Sequence, residues 1–333
     1  MPFKNRLDII WEDAEDVLKS VNFDWLEGKT VIVTGATGLL GTHFLATLAL
    51  LNRCNAKMRV FGVCHSDPAD YTIEIAEQGK LNLVDQWHHD SDVVIHAAGF
   101  AQPVKFTSNP AETIRINTTW TQQLLERLRP NGKFLFTSSS EVYNGCFLPV
   151  DRAAKEENIG TTTPYHPRAC YIEGKRCGEA IVNAYRQSGV DAKSVRLGLT
   201  YGPGCRKDDK RAMSTFIQQA LTYNRIKMEY SGLERRSFCY VKDAVETMWN
   251  VLLRGTQPVY NVGGISAYRI RAVASAIASI TYADYIEFPG GFELPGSSGG
   301  IMNISLAQRE FDKKSYVSME GGLKRTIEWH RGL

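Results

Sequence analysis

Near the start of the chain a hydrophobic strand pattern runs directly into a glycine-rich turn and then into a helical pattern. Lys29-Thr-Val-Ile-Val-Thr34 reads as a buried strand, Thr34-Gly-Ala-Thr-Gly-Leu-Leu-Gly41 as a tight turn, and residues 39–52 as a helix. An apolar run without polar alternation needs cover on both faces, which a parallel sheet between helix layers supplies. The glycines let the backbone turn sharply and approach a pyrophosphate, which then sits at the helix N-terminus. Gly35, Thr37, Gly38, Leu39, Leu40 and Gly41 are therefore candidate dinucleotide contacts, in a GxxGxxG rather than a GxGxxG spacing.

Further strands are predicted at 58–64, 92–98, 133–137 and 191–197, with helices at 111–128 and 167–188. Strands and helices alternating at this spacing predict an α/β fold, a doubly wound parallel sheet (Rossmann) with a smaller, mostly C-terminal α/β substrate domain. The expected division is an N-terminal helical extension over 1–27, an NAD(P)-binding domain over 28–198, and a mainly substrate-binding domain over 199–333. Residues 238–264 are expected to return to the first domain, helices are expected near 212–224, 266–277 and 304–310, and 290–300 reads as a loop. A net charge of +3 is too small to argue for nucleic acid. Seven cysteines without a CxxC pair give no disulfide framework, and the acids at 8, 12, 13, 15 and 16 argue against a targeting peptide. No run reaches the length of a membrane span, so a cytoplasmic protein without membrane attachment is expected.

Ala97, Ala98 and Gly99, at the end of the third clear strand, and Asn117 in the next helix are predicted to complete the dinucleotide site. His96 reads as a core residue. The carboxylate that would hold a ribose 2′-hydroxyl is missing: the second strand runs out at Cys64-His-Ser-Asp67, with Asp67 one residue late. No arginine stands there, which favours NAD and leaves NADP open.

Downstream, Ser139-Ser-Glu-Val-Tyr143 follows a strand, and Tyr171-Ile-Glu-Gly-Lys175 lies in a helical pattern. Tyr171 and Lys175, four apart, share a helix face. A nearby ammonium and the cofactor's positive ring would favour tyrosinate, making Tyr171 a base toward a sugar hydroxyl. Ser139 would hydrogen-bond that hydroxyl, while Ser140 and Glu141 would face the next part of the substrate. Taken alone, either motif is also what an ordinary surface helix carries; it is their combination with the glycine loop that indicates chemistry. His88 and His89 are adjacent but lack companion ligands, and no metal is expected.

The chain resembles the extended short-chain dehydrogenase/reductases that modify nucleotide sugars, over most of residues 28–333, and within them UDP-glucuronate decarboxylases. Pro167-Arg-Ala-Cys-Tyr-Ile-Glu-Gly-Lys-Arg176 carries the most specific likeness, with Asn109–Thr118, Thr137–Tyr143, Asp208–Arg211 and Arg235–Asp243. The resemblance implies that Tyr171 and Lys175 run an oxidation assisted by Ser139. Ser140 and Glu141 would lie near a sugar carboxylate, with Arg236 on the diphosphate or carboxylate and Arg211 on the nucleotide side. Gln102, Arg168 and Tyr201 are further candidate substrate contacts, and a homodimer through helices 111–128 and 167–188 is implied. Two departures stand out: Leu199 replaces the family's substrate-loop asparagine, and Gly99-Phe-Ala-Gln-Pro103 rewrites a proline-rich stretch.

The expected reaction is NAD-dependent decarboxylation of UDP-glucuronate to UDP-xylose through a 4-keto intermediate. An epimerase needs the same tyrosine, lysine and glycine loop. A 4,6-dehydratase would want an aspartic acid where Ser140 stands, since a serine proton is held too tightly at neutral pH. A nonenzymatic nucleotide-sugar or NAD(P) sensor would explain Leu199 but leaves the catalytic set without purpose.

Overall fold

The computed structural model describes residues 5–146, 148, 152–290 and 300–332. An amphipathic helix, α1 (Leu7–Ser20), turns Leu7, Ile9, Ile10, Ala14 and Val17 inward. It stops well before residue 27, and a single tight turn at Asp24–Leu26 leads into β1 (Thr30–Thr34). Next come α2 (Leu39–Arg53), β2 (Arg59–Val63), α3 (Asp70–Gly79), β3 (Asn82–Val84) and β4 (Ser91–His96). The helix expected at 111–128 is preceded by α4 (Pro103–Ser108) and made of three pieces: α5 (Pro110–Arg115), a wide π turn at Ile116–Trp120, and α6 (Thr121–Glu126). β5 (Leu128–Ser139), a short helical turn at Ser140–Tyr143, α7 (Ala169–Gln187) and β6 (Asp191–Leu197) follow.

Seven parallel strands form the main sheet. β10 (Val259–Val262) closes one edge beside β6, in the order β10-β6-β5-β4-β1-β2-β3. The order reverses between β1 and β4, and in open sheets of this kind ligands are taken beyond the carboxyl ends of the strands at such a switch. Because side chains alternate along a strand, the apolar run of β1 serves both faces. Val31 and Val33 join Phe44, Leu45 and Trp249 on one side; Ile32 joins Val94, Phe134, Phe136 and Val182 on the other. Trp249, on α9 (Val241–Arg254), meets Phe23 and Phe44 edge-on at 5.2 and 5.1 Å. Each such pair adds about 0.5–1.5 kcal/mol beyond burial.

The rest of the chain builds smaller units. β7 (Leu199–Tyr201) pairs in parallel with β9 (Arg235–Tyr240), which pairs antiparallel with β11 (Ala267–Arg269). α8 (Ala212–Tyr223) precedes β8 (Arg225–Lys227), which pairs with β12 (Asp284–Ile286). α10 (Ile270–Thr281), α11 (Ser305–Phe311) and α12 (Met319–Arg331) complete the fold. Within the predicted return at 238–264, α9 fills the centre and β10 joins the sheet. The helix expected at 266–277 begins later, because residues 267–269 pair as β11. Most of the loop read at 290–300 lies outside the described residues. All seven cysteines are free.

Candidate active site

The glycine loop holds its shape by close approach. Gly35 has φ +69°, and a β-carbon there would stand 2.7 Å from the Ala97 carbonyl oxygen; one on Gly41 would stand 2.2 Å from that of Gly35. Gly38 precedes α2 in extended conformation with no side-chain cap, leaving first-turn N–H groups available to an anion. Leu39 and Leu40 are half-buried in that turn, and Thr37 is buried beside it. The Ala98 N–H donates to Thr34 Oγ1 at 3.2 Å, and Thr34 bonds His96 Nδ1 at 2.7 Å. His96 is fully buried, reaches the Ile116 carbonyl at 3.0 Å, and is pushed down to about 3 by burial, so it stays neutral in the core. Asn117 sits in the π turn, its Nδ2 donating to the Thr113 carbonyl at 2.7 Å while the buried Oδ1 has no partner. The uncapped N-terminus of α2, with this unpartnered amide oxygen, fits a bound dinucleotide.

The end of β2 differs from expectation. Ser66 Oγ lies 3.1 Å from Thr37 Oγ1, so the segment after the strand runs beside the glycine loop. An arginine does stand there: Arg206 Nη1 donates to Ser66 Oγ at 3.3 Å. It comes from 140 residues downstream, beyond the reach of any local pattern.

Ser139 ends β5 and Tyr171 lies in the first turn of α7. Ser139 Oγ accepts the Glu141 N–H at 3.2 Å and lies near enough to Tyr171 to favour its ionised form. Burial raises the Tyr171 phenol, while Ser139 and the charges of Arg168 and Arg211 pull it down and Glu141 pushes it up. Lys175 is buried, donates to the Thr137 carbonyl at 2.6 Å, and lies 5.7 Å from the Tyr171 ring. Burial lowers Lys175 to about 7. Arg168 and Arg211 add positive charge around Tyr171, and Lys175 is turned to a backbone oxygen beside it. Gly99 faces Lys175: a β-carbon on it would be 3.7 Å from Nζ.

Glu141 and Arg168 form an ion pair at 2.9 Å, with side chains 26% and 32% exposed. The buried Glu141 Oε2 and Arg168 Nε have no partner. Half-buried Ser140 stands beside them in the turn, whose backbone is gripped by Arg176 through the Val142 and Asn144 carbonyls at 2.7 and 3.1 Å. Beneath it, Glu179 binds Ser138 Oγ at 2.5 Å and Arg196 at 2.7 Å, and Arg196 reaches the Tyr143 hydroxyl at 2.9 Å. Neither Glu179 nor Arg196 follows from motif spacing.

Phe106 of α4 stacks on Tyr171, ring centres 4.6 Å apart, and Arg168 lies 5.5 Å over the Phe106 ring. α4 is fastened to the segment before α8 by Lys105–Asp208 at 2.9 Å and by the Lys210 N–H to Gln102 Oε1 at 3.1 Å. Nearby, Arg211 grips buried Asp209 at 2.9 and 2.5 Å, and its charge reaches Tyr171. Other candidates are not gathered with this set. Tyr201 is buried against Phe238 and Tyr240, and a β-carbon on Gly322 would meet its hydroxyl at 2.4 Å. Arg236 lies in β9 and donates to the Arg235 carbonyl at 3.0 Å. Leu199 is 37% exposed and brings no hydrogen-bonding group. Among the described residues no cluster of metal-binding side chains occurs, and no helix is long and apolar enough to cross a membrane.

The NAD dependent epimerase/dehydratase family matches residues 31–263. The UDP-glucuronic acid decarboxylase 1 of Xenopus tropicalis is 28% identical over 321 residues, covering 91% of this chain and 72% of its own. UDP-glucuronic acid decarboxylase 5 of Arabidopsis thaliana is 32% identical over 260 residues, covering 75% and 74%. Among solved structures, the UDP-glucuronic acid 4-epimerase of Bacillus cereus, in complex with UDP-glucuronic acid and NAD, shares the fold with a TM-score of 0.71. It is 23% identical and covers 91% of this chain and 99% of its own.

Proposed function

The chain belongs to the NAD dependent epimerase/dehydratase family, and from that premise we propose that it decarboxylates UDP-glucuronate to UDP-xylose through a 4-keto sugar, with NAD as a recycled cofactor. The similarity to UDP-glucuronic acid decarboxylases supports this reading. NAD, when bound, supplies a two-electron acceptor that is filled and emptied within one turnover. Gly35, Thr37, Gly38, Leu39, Leu40 and Gly41 hold its pyrophosphate, and Ala97, Ala98, Gly99, Asn117 and Lys175 line the remainder. Tyr171, assisted by Ser139, takes the C4 hydroxyl proton as that carbon is oxidised. Arg168 and Arg211 supply the positive field that offsets the burial of the phenol.

Oxidation at C4 makes a β-keto acid. The C5–C6 bond then breaks, its electron pair moves into the C4 carbonyl, and carbon 6 leaves as CO₂. C5 takes a proton, C4 is reduced, and Tyr171 returns its proton to the C4 oxygen. The Glu141–Arg168 pair carries the choice of decarboxylation. An unoccupied arginine fork beside the sugar would clasp its carboxylate and hold it in place. Glu141 engages one arm of that guanidinium and adds a like charge, so the reactant carboxylate is disfavoured relative to neutral CO₂. Ser140 lies along the same edge. Gln102 and Arg236 are the proposed contacts to the rest of the nucleotide sugar, and the proposed working unit is a homodimer.

A nuclear magnetic resonance time course with purified protein, NAD and UDP-glucuronate tests the proposal. UDP-xylose with stoichiometric CO₂ is expected. A C4 epimer without CO₂ would select the epimerase instead, and unchanged substrate would move the assignment to another nucleotide sugar.

A further inference from the structure

The ribose end of the cradle is built differently from a site selective for an unphosphorylated dinucleotide. β2 ends at Val63, and the next three residues, Cys64, His65 and Ser66, include no carboxylate. An acid at this point would accept the ribose hydroxyls and repel a 2′-phosphate. Here the first residue is Cys64, whose thiol is raised by burial and so kept uncharged. The Ala36 N–H donates to the Val63 carbonyl at 3.2 Å, drawing the strand end against the glycine loop. Two hydroxyls, Thr37 Oγ1 and Ser66 Oγ, then meet at 3.1 Å, and the Arg206 guanidinium reaches the second at 3.3 Å.

We infer that Arg206, Ser66 and Thr37 form a receptor for a phosphate monoester, so that the chain takes NADP as readily as NAD. The inference rests on the glycine loop being a dinucleotide site. Arg206 has one carboxylate partner, Asp208, at 3.3 Å, with both side chains about half exposed. Asp208 is held more closely by Lys105, at 2.9 Å, so its charge is already answered and Arg206 keeps donors to spare. A phosphate dianion offers that guanidinium two charge-assisted hydrogen bonds in place of one long contact. Asp67, next along the chain, is solvent-exposed, where its opposing charge is screened.

Calorimetric titration of the full chain with NADP, NAD, adenosine 2′,5′-bisphosphate and AMP tests this directly. NADP is expected to bind no more than about threefold weaker than NAD, and the bisphosphate about tenfold tighter than AMP. Arg206→Ala should weaken NADP and the bisphosphate by about tenfold and shift NAD little. Ser66→Asp, which adds the missing carboxylate, should weaken NADP selectively and guards against a misfolded Arg206→Ala protein. A wild-type preference for NAD above about threefold, or equal weakening of both dinucleotides by Arg206→Ala, would overturn the phosphate receptor. Failure of all four ligands to bind would instead remove the dinucleotide reading itself.

Discussion

Tyr171, the proposed base, is set between opposing forces from its neighbours. Burial and Glu141 hold the proton on, while Ser139, Arg168 and Arg211 draw it off. Tyr171→Phe is expected to reduce cofactor reduction by about 10²–10⁴-fold with nucleotide binding retained, read by absorbance of the cofactor and by calorimetry. Since the base must be deprotonated and its pKa is raised, the oxidation rate should climb as pH rises above neutral. Glu141→Gln removes the charge that occupies Arg168. It should spare formation of the 4-keto sugar and slow CO₂ loss, so that trapping with borohydride reveals accumulated ketone by mass spectrometry. Equal loss of both steps would make Glu141 a binding or structural residue.

At the scale of elements, the approach of α7 to the π turn sets where Asn117 and Tyr171 stand. A β-carbon on Gly178 would lie 2.4 Å from the Phe136 ring and 2.7 Å from the Asn117 carbonyl oxygen. Gly178→Ala should therefore cost about 1–3 kcal/mol in a denaturation curve and weaken dinucleotide binding. Glu179, 15% exposed, binds Arg196, 6% exposed, under the strand end that carries Ser139. Glu179→Ala leaves that arginine buried and unpaired, an expected loss of about 3–5 kcal/mol in the same measurement. Local pattern sufficed for the strand–loop–helix unit and for Tyr171 and Lys175 on one helix face, because their signals lie within a few residues. It did not reach the stack of Phe106 on Tyr171, the Arg196–Glu179 support or Arg206 beside Ser66, since each joins segments brought together only by packing. α3 and β3 were also missed; β3 has three residues, too few for a period to show.

For the whole molecule, buried titrating groups set the response to acid. Burial holds His96 down to about 3, and His43 and His330 down to about 4 each, against 6.5 for the free side chain. The unfolded chain binds these protons and the folded chain does not, so this stability is full above about pH 6.5 and is lost as pH falls toward 4. Asp13 acts in the opposite sense: burial raises it from 3.8 to about 6, so it favours the folded state at low pH and loses that contribution as pH rises through 6. Each proton changes stability by about 1.4 kcal/mol per pH unit, and three histidines outweigh one aspartate. The melting temperature should thus fall between pH 7 and pH 5, and a rise over that interval would mean that the histidines are protonated in the native state. Asp13 also ties α1 to segments far along the chain. Its carboxylate is buried against the Tyr240 hydroxyl at 2.7 Å and Arg325 at 2.9 Å, partners 227 and 312 residues away. The helix is also held from nearby in the chain, where it packs on α2 and Arg53 lies 5.7 Å over the Trp11 ring, and the Lys242 charge adds to that of Arg325 on Asp13. A chain cut before Arg325 would thus keep α1 seated on α2 and α9 but leave the Asp13 carboxyl without its closest cation, a seam that fails at one residue while the helix stays in place.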